Sequence, residues 1–296
     1  MYRIRRWGPA LLLVAPSLIA LAVFVYGFLG WNLRVSLADW RGLRPSYAYD
    51  GFDNYTRLAD DTRFTDDVQN VIVFTLVFVG GTLVVGFLLA LLLERGLRGE
   101  GFFRAVFLFP MAISFIATAI IWRWLLNNST GSQETGFNKL FKAVGLDFLA
   151  NDWFKSDSKW AVAAVALPAG WALCGYIMAL FLAGMRGVSD DLREAARVDG
   201  ASEPKVFWYV VRPMLLPVVM SAIVILAHIS LKTFDLMFAM DVESRKIETP
   251  ALYMWFTTFD GLNFSRGAAI ATLLVLGISL LIIPYIWYSV RAEKRK

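Results

Sequence analysis

The stretch VSDDLREAARVDGASEPKVFWYVVRP, residues 188–213, is polar, charged and interrupted by glycine and proline. It lies between two apolar segments, WAVAAVALPAGWALCGYIMALFLAGM at 160–185 and MLLPVVMSAIVILAHISL at 214–231. Apolar segments of about 20 residues are long enough to cross the hydrocarbon core of a bilayer as helices. The stretch is therefore expected to be a loop that returns to water between two membrane spans.

The whole chain has the composition of an integral membrane protein. Hydrophobic residues make up 58% of the 296 residues and charged residues 18%, whereas a soluble domain is about half apolar and about a quarter charged. The long apolar runs lack the alternation of barrel strands, and a bilayer admits only helices or closed barrels. We therefore expect an all-α membrane protein with six spans, at 9–32, 70–93, 104–126, 160–185, 212–233 and 268–290.

The distribution of Lys and Arg predicts how these spans are oriented. Basic residues outnumber acidic ones in the segment before span one and after span six. Arg95, Arg98 and Arg104 cluster at the short connection between spans two and three, and Lys and Arg are frequent between spans four and five. Cytoplasmic loops carry such an excess, so both termini are expected in the cytoplasm of a cell-membrane protein. The first span is interpreted as an uncleaved signal anchor. Segments 33–69 and 127–159 are then external loops, which either dock a partner or cap the helix bundle.

Motifs for several kinds of chemistry are missing from the sequence. It contains no G-x-x-x-x-G-K-[ST] loop, so the chain is not expected to bind ATP itself. His228 is the single histidine, and Ser230 cannot face it across two positions of a helix. The lone Cys174 can form neither an internal disulfide nor a cysteine-based metal site. An enzyme, a metal site, a cofactor on this chain and a nucleic-acid partner are therefore not expected.

The polar stretch carries two helix-start signals. Ser189 is expected to cap a helix by accepting a backbone N–H, and Gly200 to end that helix. Ser202, Glu203 and Pro204 then begin a second helix that leads into span five.

The first of these helices has a surface that suits contact with another protein. The small residues Ala195, Ala196 and Ala201 form a flat apolar patch beside the acids Glu194 and Asp199. Such a patch suits docking into a groove of a partner. The alternative is a connector helix on the membrane surface, which would be expected to carry mainly basic residues.

The segment EAARVDGASEPKVFWYVVRP resembles the EAA loop of binding-protein-dependent ABC importer permeases. The family's spaced positions correspond here to Glu194-Ala195-Ala196, Gly200, Val210 and Pro213, whereas Arg212 stands where the family usually has Leu. DGFDNYTRL, FFRAVFLFPMAIS and WRWLLN resemble the carbohydrate branch, similar to the maltose-type permease. AHISLKTFDL most resembles the glucose and α-glucoside permeases.

The resemblance implies one type I, maltose-permease-like domain over 1–296, with a cytoplasmic coupling loop at 186–213. It implies a second homologous permease subunit as heterodimer partner, a dimer of ATP-binding subunits that holds the ATP and Mg, an extracytoplasmic solute-binding protein, and a sugar substrate in a lipid membrane. The residues implied to contact the ATPase are Ser189, Glu194, Ala195, Ala196, Asp199 and Gly200.

Polar residues within spans are candidates for substrate contact. In span five, His228, Lys232 and Asp235 are expected on one helical face, flanked by Ser230, Thr233 and Phe234. The resemblance adds a group in span four, Trp171, Gly175 and Tyr176.

Alternative interpretations of these residues stay open at this point. His228 could bond a neighbouring helix, Lys232 could reach the interface and pair with Asp235, and the whole site could lie on the sister subunit. The alternative function is an ion-gradient-driven secondary transporter of a small polar solute. That class predicts inverted repeats and intramembrane carboxylates, and the spans carry essentially none at mid-depth.

Overall fold

The computed structural model describes residues 13–241 and 245–293, and within these ranges the regular elements are helices. Short 3-10 turns occur at Gly131–Gln133, Asp147–Leu149, Trp153–Lys155 and Arg245–Ile247, and a π turn follows α11 at Phe256–Asp260. The main helices are α1 Leu13–Ser36, α2 Asp53–Ala59, α3 Thr62–Glu94, α4 Glu100–Ala112, α5 Phe115–Leu125, α6 Gly136–Ala143, α7 Ala161–Arg186, α8 Asp190–Val198, α9 Glu203–Leu231, α10 Asp235–Asp241, α11 Pro250–Trp255 and α12 Phe264–Glu293.

Five of the described helices, α1, α3, α7, α9 and α12, are long and apolar enough to cross a membrane. The span predicted at 104–126 is broken in the middle, because α4 and α5 meet at 99°. Pro110 lacks the N–H that would continue the helix. Ser114 then caps α5, its Oγ accepting the N–H of Ala117 at 3.2 Å. With this broken pair counted as one span, the predicted all-α, six-span architecture is confirmed.

Other boundaries also differ from the prediction. Helix α3 begins at Thr62 and α9 at Glu203, so both are longer than their predicted spans. The extension of α9 passes through a π turn at Phe207–Val211, which keeps the helix continuous into the predicted loop. Residues 9–12, at the predicted start of span one, and 294–296, in the basic tail, lie outside the described residues.

The chain groups into two compact units. The first comprises residues 13–64 and 253–276 among those described. Its core is formed by Leu58, Tyr253, Ala269 and Ile270. Next to this core, the Asp61 carboxylate accepts a hydrogen bond from the Tyr253 hydroxyl at 2.6 Å and pairs with Arg266. These contacts fasten the connection between α2 and α3 to the segment 253–276.

The second unit comprises residues 65–252 and, among those described, 277–293. Its most buried long helix is α7, and glycines let three neighbours approach closely. A Cβ at Gly175 would lie 1.8 Å from the Phe107 carbonyl oxygen, and one at Gly184 2.9 Å from the Leu215 side chain. In α3, a Cβ at Gly86 would lie 2.7 Å from Ile177. Small residues at such contacts are the usual means of close helix packing in membranes, and they hold α3, α4 and α9 against α7.

Candidate functional site

The helix predicted at the start of the polar stretch is present as α8, Asp190–Val198. Ser189 occupies its N-cap position and Asp190 and Asp191 its first turn. The predicted side-chain capping bond is wrong, since Ser189 makes none. Its side chain is exposed, so water can satisfy the first N–H groups of the helix instead.

Gly200 ends this segment as predicted. Its φ of 82° lies in the left-handed region, which glycine adopts without steric cost. The N–H of Gly200 donates to Arg197 O at 3.0 Å, and the N–H of Ala201 donates to Ala196 O at 2.9 Å. This pair of bonds is the Schellman arrangement that closes a helix C-terminus. A Cβ at Gly200 would have open space within this chain.

The exposed surface of α8 is more apolar than the sequence reasoning assumed. Glu194, Ala195, Asp199 and Gly200 are exposed and Ala196 is half-buried. Beyond these, Leu192 is 48% and Val198 87% exposed. Residues spaced by three are neighbours on a helix, so Leu192, Ala195 and Val198 form an apolar stripe along one side. This stripe was missed, although a Leu and a Val within a charged loop signalled it.

The second predicted helix start is also present, with Ser202 as the N-cap of the helix beginning at Glu203. Arg212, the departure from the family pattern, lies on this helix with its guanidinium carbon 4.7 Å from the centre of the Trp208 ring. This is a cation–π contact between residues four apart. The substitution of Leu by Arg at this position is thus accommodated within the helix.

A cavity of about 330 Å³ lies within the second unit. Most of its wall is apolar. Trp122 and Trp171 form the aromatic part of the wall, and their ring centroids are 6.0 Å apart. Its lining residues come from α3, α5 and α7 and are Val77, Gly81, Thr82, Val85, Trp122, Ala166, Leu167, Gly170, Trp171 and Cys174.

Thr82 provides a hydroxyl in the wall of this cavity. The residue is 2% exposed, and its Oγ1 has no hydrogen-bond partner among the described residues. A Cβ at Gly170 would lie only 3.2 Å from this oxygen, so the glycine keeps the space beside it open. A buried hydroxyl without a partner is rare and costs free energy. The cavity therefore combines two aromatic rings with an unsatisfied hydroxyl, a set that suits a small ligand with both polar and apolar faces.

Among the nine residues predicted to contact substrate, Trp171 lines this cavity and the other eight do not. Gly175 is buried against the Phe107 carbonyl, so the structure gives it a packing contact. Tyr176, on the next position of α7, is half-buried. Sequence reasoning missed Trp122 and Thr82, because each lies in an ordinary apolar run of a different span.

The expected single helical face in span five is wrong. Helix α9 ends at Leu231 with Lys232 as its C-cap, and Asp235 begins the separate helix α10. Lys232 and Asp235 are exposed, and no ion pair joins them within the described ranges. Phe234 stacks on Phe238 at 5.4 Å. The ring of His228 is half-buried, and its Nδ1 makes no hydrogen bond to any described residue.

The hydroxyl groups near the end of α9 are engaged within the chain. Ser230 is buried, donates to Ala227 O at 2.8 Å and shares a hydrogen bond with Thr75 Oγ1 at 2.8 Å. Thr233 Oγ1 donates to Ile229 O at 2.9 Å. These bonds tie α9 to α3 and stabilise its final turn.

Comparison with known proteins shows to which family the chain belongs. Residues 82–295 match the family described as "Binding-protein-dependent transport system inner membrane component". A probable ABC transporter permease of Pyrococcus horikoshii is 37% identical over 96% of this chain and 97% of its own. The xylose/arabinose import permease of Haloferax volcanii is 34% identical, over 92% and 84% of the two chains. The glucose import permease of Saccharolobus solfataricus is 28% identical, over 97% and 98%.

The fold has a counterpart among solved structures. A chain of a bacterial ABC transporter for alginate import matches with a TM-score of 0.79, at 18% identity over 98% of both chains. The resemblance based on Glu194-Ala195-Ala196 and Gly200 is confirmed by the family match and by the sugar permeases among the relatives. The chain is a multi-pass membrane protein that belongs to the family of inner membrane components of binding-protein-dependent transport systems.

Proposed function

We propose that this chain is the permease subunit of an ATP-driven sugar importer. It forms half of a translocation pathway with a second, homologous permease, while a dimer of ATP-binding subunits hydrolyses ATP. An extracytoplasmic solute-binding protein delivers the sugar. The observation that carries the proposal is helix α8, an exposed helix with an apolar stripe and a Gly200 stop, in a chain of this family.

Coupling to the ATPase is assigned to the exposed side of α8. Leu192, Ala195 and Val198 supply apolar area for a cleft on the ATPase, and the acids Glu194 and Asp199 set the register of the contact. This is the helix-in-groove mode of recognition. The small side chain of Ala196 and the open space at Gly200 let the partner surface come close, and Ser189 lies at the entrance of the helix.

The orientation in the membrane follows from the same assignment. If α8 meets a soluble ATPase, loop 186–213 is cytoplasmic, in agreement with the abundance of Lys and Arg there. Residues 1–296 then form a single permease domain, and both termini of this domain lie in the cytoplasm. Segments 33–69 and 127–159 face outward, where they meet the solute-binding protein.

The proposed substrate is a sugar, and its proposed contact in this subunit is the cavity lined by Trp122, Trp171 and Thr82. Aromatic rings pack against the apolar face of a pyranose, and the Thr82 hydroxyl can bond one of its hydroxyl groups. The names of the relatives include xylose/arabinose, glucose and multiple sugars. The proposal therefore concerns a monosaccharide or a small oligosaccharide, with glucose or an α-glucoside as the first choice.

The decisive experiment is uptake into proteoliposomes that contain the complete complex and its binding protein. Radiolabelled glucose, maltose, xylose and arabinose serve as probes, with ATP supplied to the side of the ATP-binding subunits. Uptake of at least one probe that requires ATP and persists with ionophores is the expected result. Uptake that continues without ATP and collapses with ionophores would replace the proposal by an ion-gradient-driven transporter.

A further inference from the structure

One guanidinium group connects three helices where the polar stretch meets the bundle. Arg193 projects from α8, and its Nη2 donates to Glu94 Oε1 at 2.8 Å and to Met185 O at 2.7 Å. Glu94 is the last residue of α3, and Met185 lies in the last turn of α7. The side chains of Arg193 and Glu94 are 20% and 22% exposed.

The electrostatics of the two helix ends favour this contact. The C-terminus of a helix carries a partial negative charge, so the Glu94 carboxylate and the Met185 carbonyl are both placed unfavourably without a cation. Arg193 supplies that cation to both. Because the ion pair is partly buried, water and salt weaken it less than they weaken a pair on the surface. Neutralising either partner would leave a partly buried charge without its counter-charge.

Helix α3 extends from this contact to the cavity. Thr82 lies twelve residues before Glu94, which corresponds to about 18 Å along an α-helix. Val77, Gly81, Thr82 and Val85 of the same helix form one wall of the cavity. Helix α3 is continuous from Thr62 to Glu94, so a displacement at its end moves that wall.

We propose that Arg193 is a positioning residue that fastens α8 to the end of α3, so that a displacement of α8 reaches the cavity wall through α3. This inference rests on the proposed function, because it takes α8 as the helix moved by the ATPase. It adds a specific connection between that helix and the wall that contacts the sugar. Met185 binds the same guanidinium, so α7 shares the movement.

A second ion pair in the same segment provides a matched control. Arg197 Nε pairs with Glu203 Oε1 at 2.7 Å, with side chains 46% and 71% exposed. It joins α8 to the start of α9, across the turn at Gly200, and among the described residues neither side chain forms an ion pair with α3. The hydrogen bond that Arg197 donates to the Glu203 carboxylate raises the pKa of Arg197, yet such exposed pairs contribute little free energy.

The test is a double-mutant cycle in the complete complex, reconstituted with its binding protein. Arg193→Gln, Glu94→Gln and the double variant are compared for sugar molecules imported per ATP hydrolysed, with glucose, maltose, xylose and arabinose as probes. Each single variant is expected to lower this ratio about fivefold or more, while assembly and ATP hydrolysis stay near wild type. The double variant is expected to be no worse than Arg193→Gln, since both changes break one interaction. Arg197→Gln and Glu203→Gln are expected to keep the wild-type ratio.

The outcomes separate this inference from the proposed function. A wild-type complex without ATP-dependent uptake of any probe contradicts the proposed function. Wild-type ratios in Arg193→Gln and Glu94→Gln, or additive losses in the double variant, contradict the inference alone. If the Arg193→Gln complex does not assemble, the ratio of sugar imported to ATP hydrolysed in Glu94→Gln tests the inference alone. This variant keeps the hydrogen bond from Arg193 to Met185 O.

Discussion

The N–H of Ala201 donates to the carbonyl oxygen of Ala196 at 2.9 Å, across a left-handed turn at Gly200. The glycine at this turn is therefore needed by the backbone, and its surface position also leaves clearance for a partner. These two requirements respond differently to substitution. Asn and Asp tolerate the left-handed region better than Ala does.

Substitutions at Gly200 are expected to uncouple transport from ATP hydrolysis by blocking the partner's approach. Gly200→Asp and its uncharged match Gly200→Asn should both insert into the membrane and both lose substrate-stimulated ATP hydrolysis in the purified complex. Gly200→Ala adds about 1 kcal/mol of backbone strain with a smaller side chain. Should Asn and Asp keep stimulated hydrolysis while Ala loses it, strain rather than clearance explains the glycine.

A second prediction concerns the contact between α7 and α4. Gly175→Ala would place a methyl group against the Phe107 carbonyl, at 1.8 Å before any adjustment. Overpacking of this kind costs about 1–3 kcal/mol, so the thermal midpoint of the detergent-solubilised protein should fall by several degrees. Gly80→Ala in α3 is the matched control, since its Cβ would meet no atom within 4 Å. Equal midpoints for the two variants would contradict the packing role of Gly175.

The sequence predicted those features of the structure that are set by residues close together in the chain, and it missed those that are set by tertiary contacts. The spans follow from long apolar runs, and the end of α8 follows from a single residue, Gly200. The bend between α4 and α5 was missed because Pro110 and Ser114 lie inside an apolar run, and the contact of Phe107 with Gly175 is tertiary. The end of α9 at Leu231 carries neither glycine nor proline. There Thr249, distant in sequence, donates from its Oγ1 to Thr233 O at 3.3 Å.

The cavity was missed for the same physical reason. Trp122 and Thr82 lie on different spans, and each is an ordinary residue of its own helix. Only the packing of α3 and α5 on α7 brings them together with Trp171. Composition and periodicity describe one helix at a time, so they cannot reveal a site shared by three.

The cavity leads to a third prediction, which locates the sugar contact. Thr82→Val removes a hydroxyl that has no partner among the described residues, so stability should be unchanged or slightly higher. ATP-dependent sugar uptake should nevertheless fall about tenfold, because a lost hydrogen bond to substrate costs roughly 1–1.5 kcal/mol. Uptake into proteoliposomes, normalised to the amount of assembled complex, measures the effect.

Ser230→Ala is the comparison for this third prediction. It removes a hydroxyl that bonds Thr75 and Ala227, so it should cost about 1 kcal/mol of stability and change uptake little. The opposite pattern, with Thr82→Val transporting like wild type and Ser230→Ala inactive in an assembled complex, would place the substrate contact at the end of span five.

The last prediction uses the pH dependence of Asp61 in the first unit. Burial raises the pKa of this carboxyl, but hydrogen bonds from Tyr253 and the Arg63 N–H, with the charge of Arg266, outweigh burial and hold the pKa below its usual 3.8. A carboxyl with a lowered folded-state pKa stabilises the folded state above its unfolded-state pKa. That stabilisation is lost as the pH falls through the lowered value.

Asp61→Asn should therefore destabilise the protein at pH 7, by about 1–2 kcal/mol, since it removes the charged partner of Arg266 and Tyr253. The difference in unfolding free energy from wild type should shrink as the pH falls below about 4, because protonation then removes the same charge from wild type. Asp60→Asn, at the exposed neighbouring position, should leave the unfolding curve unchanged. Denaturant titrations of the detergent-solubilised protein between pH 3 and pH 7 measure both variants. A constant difference for Asp61→Asn across this range would show that the Asp61 charge does not stabilise the contact between residues 13–64 and 253–276.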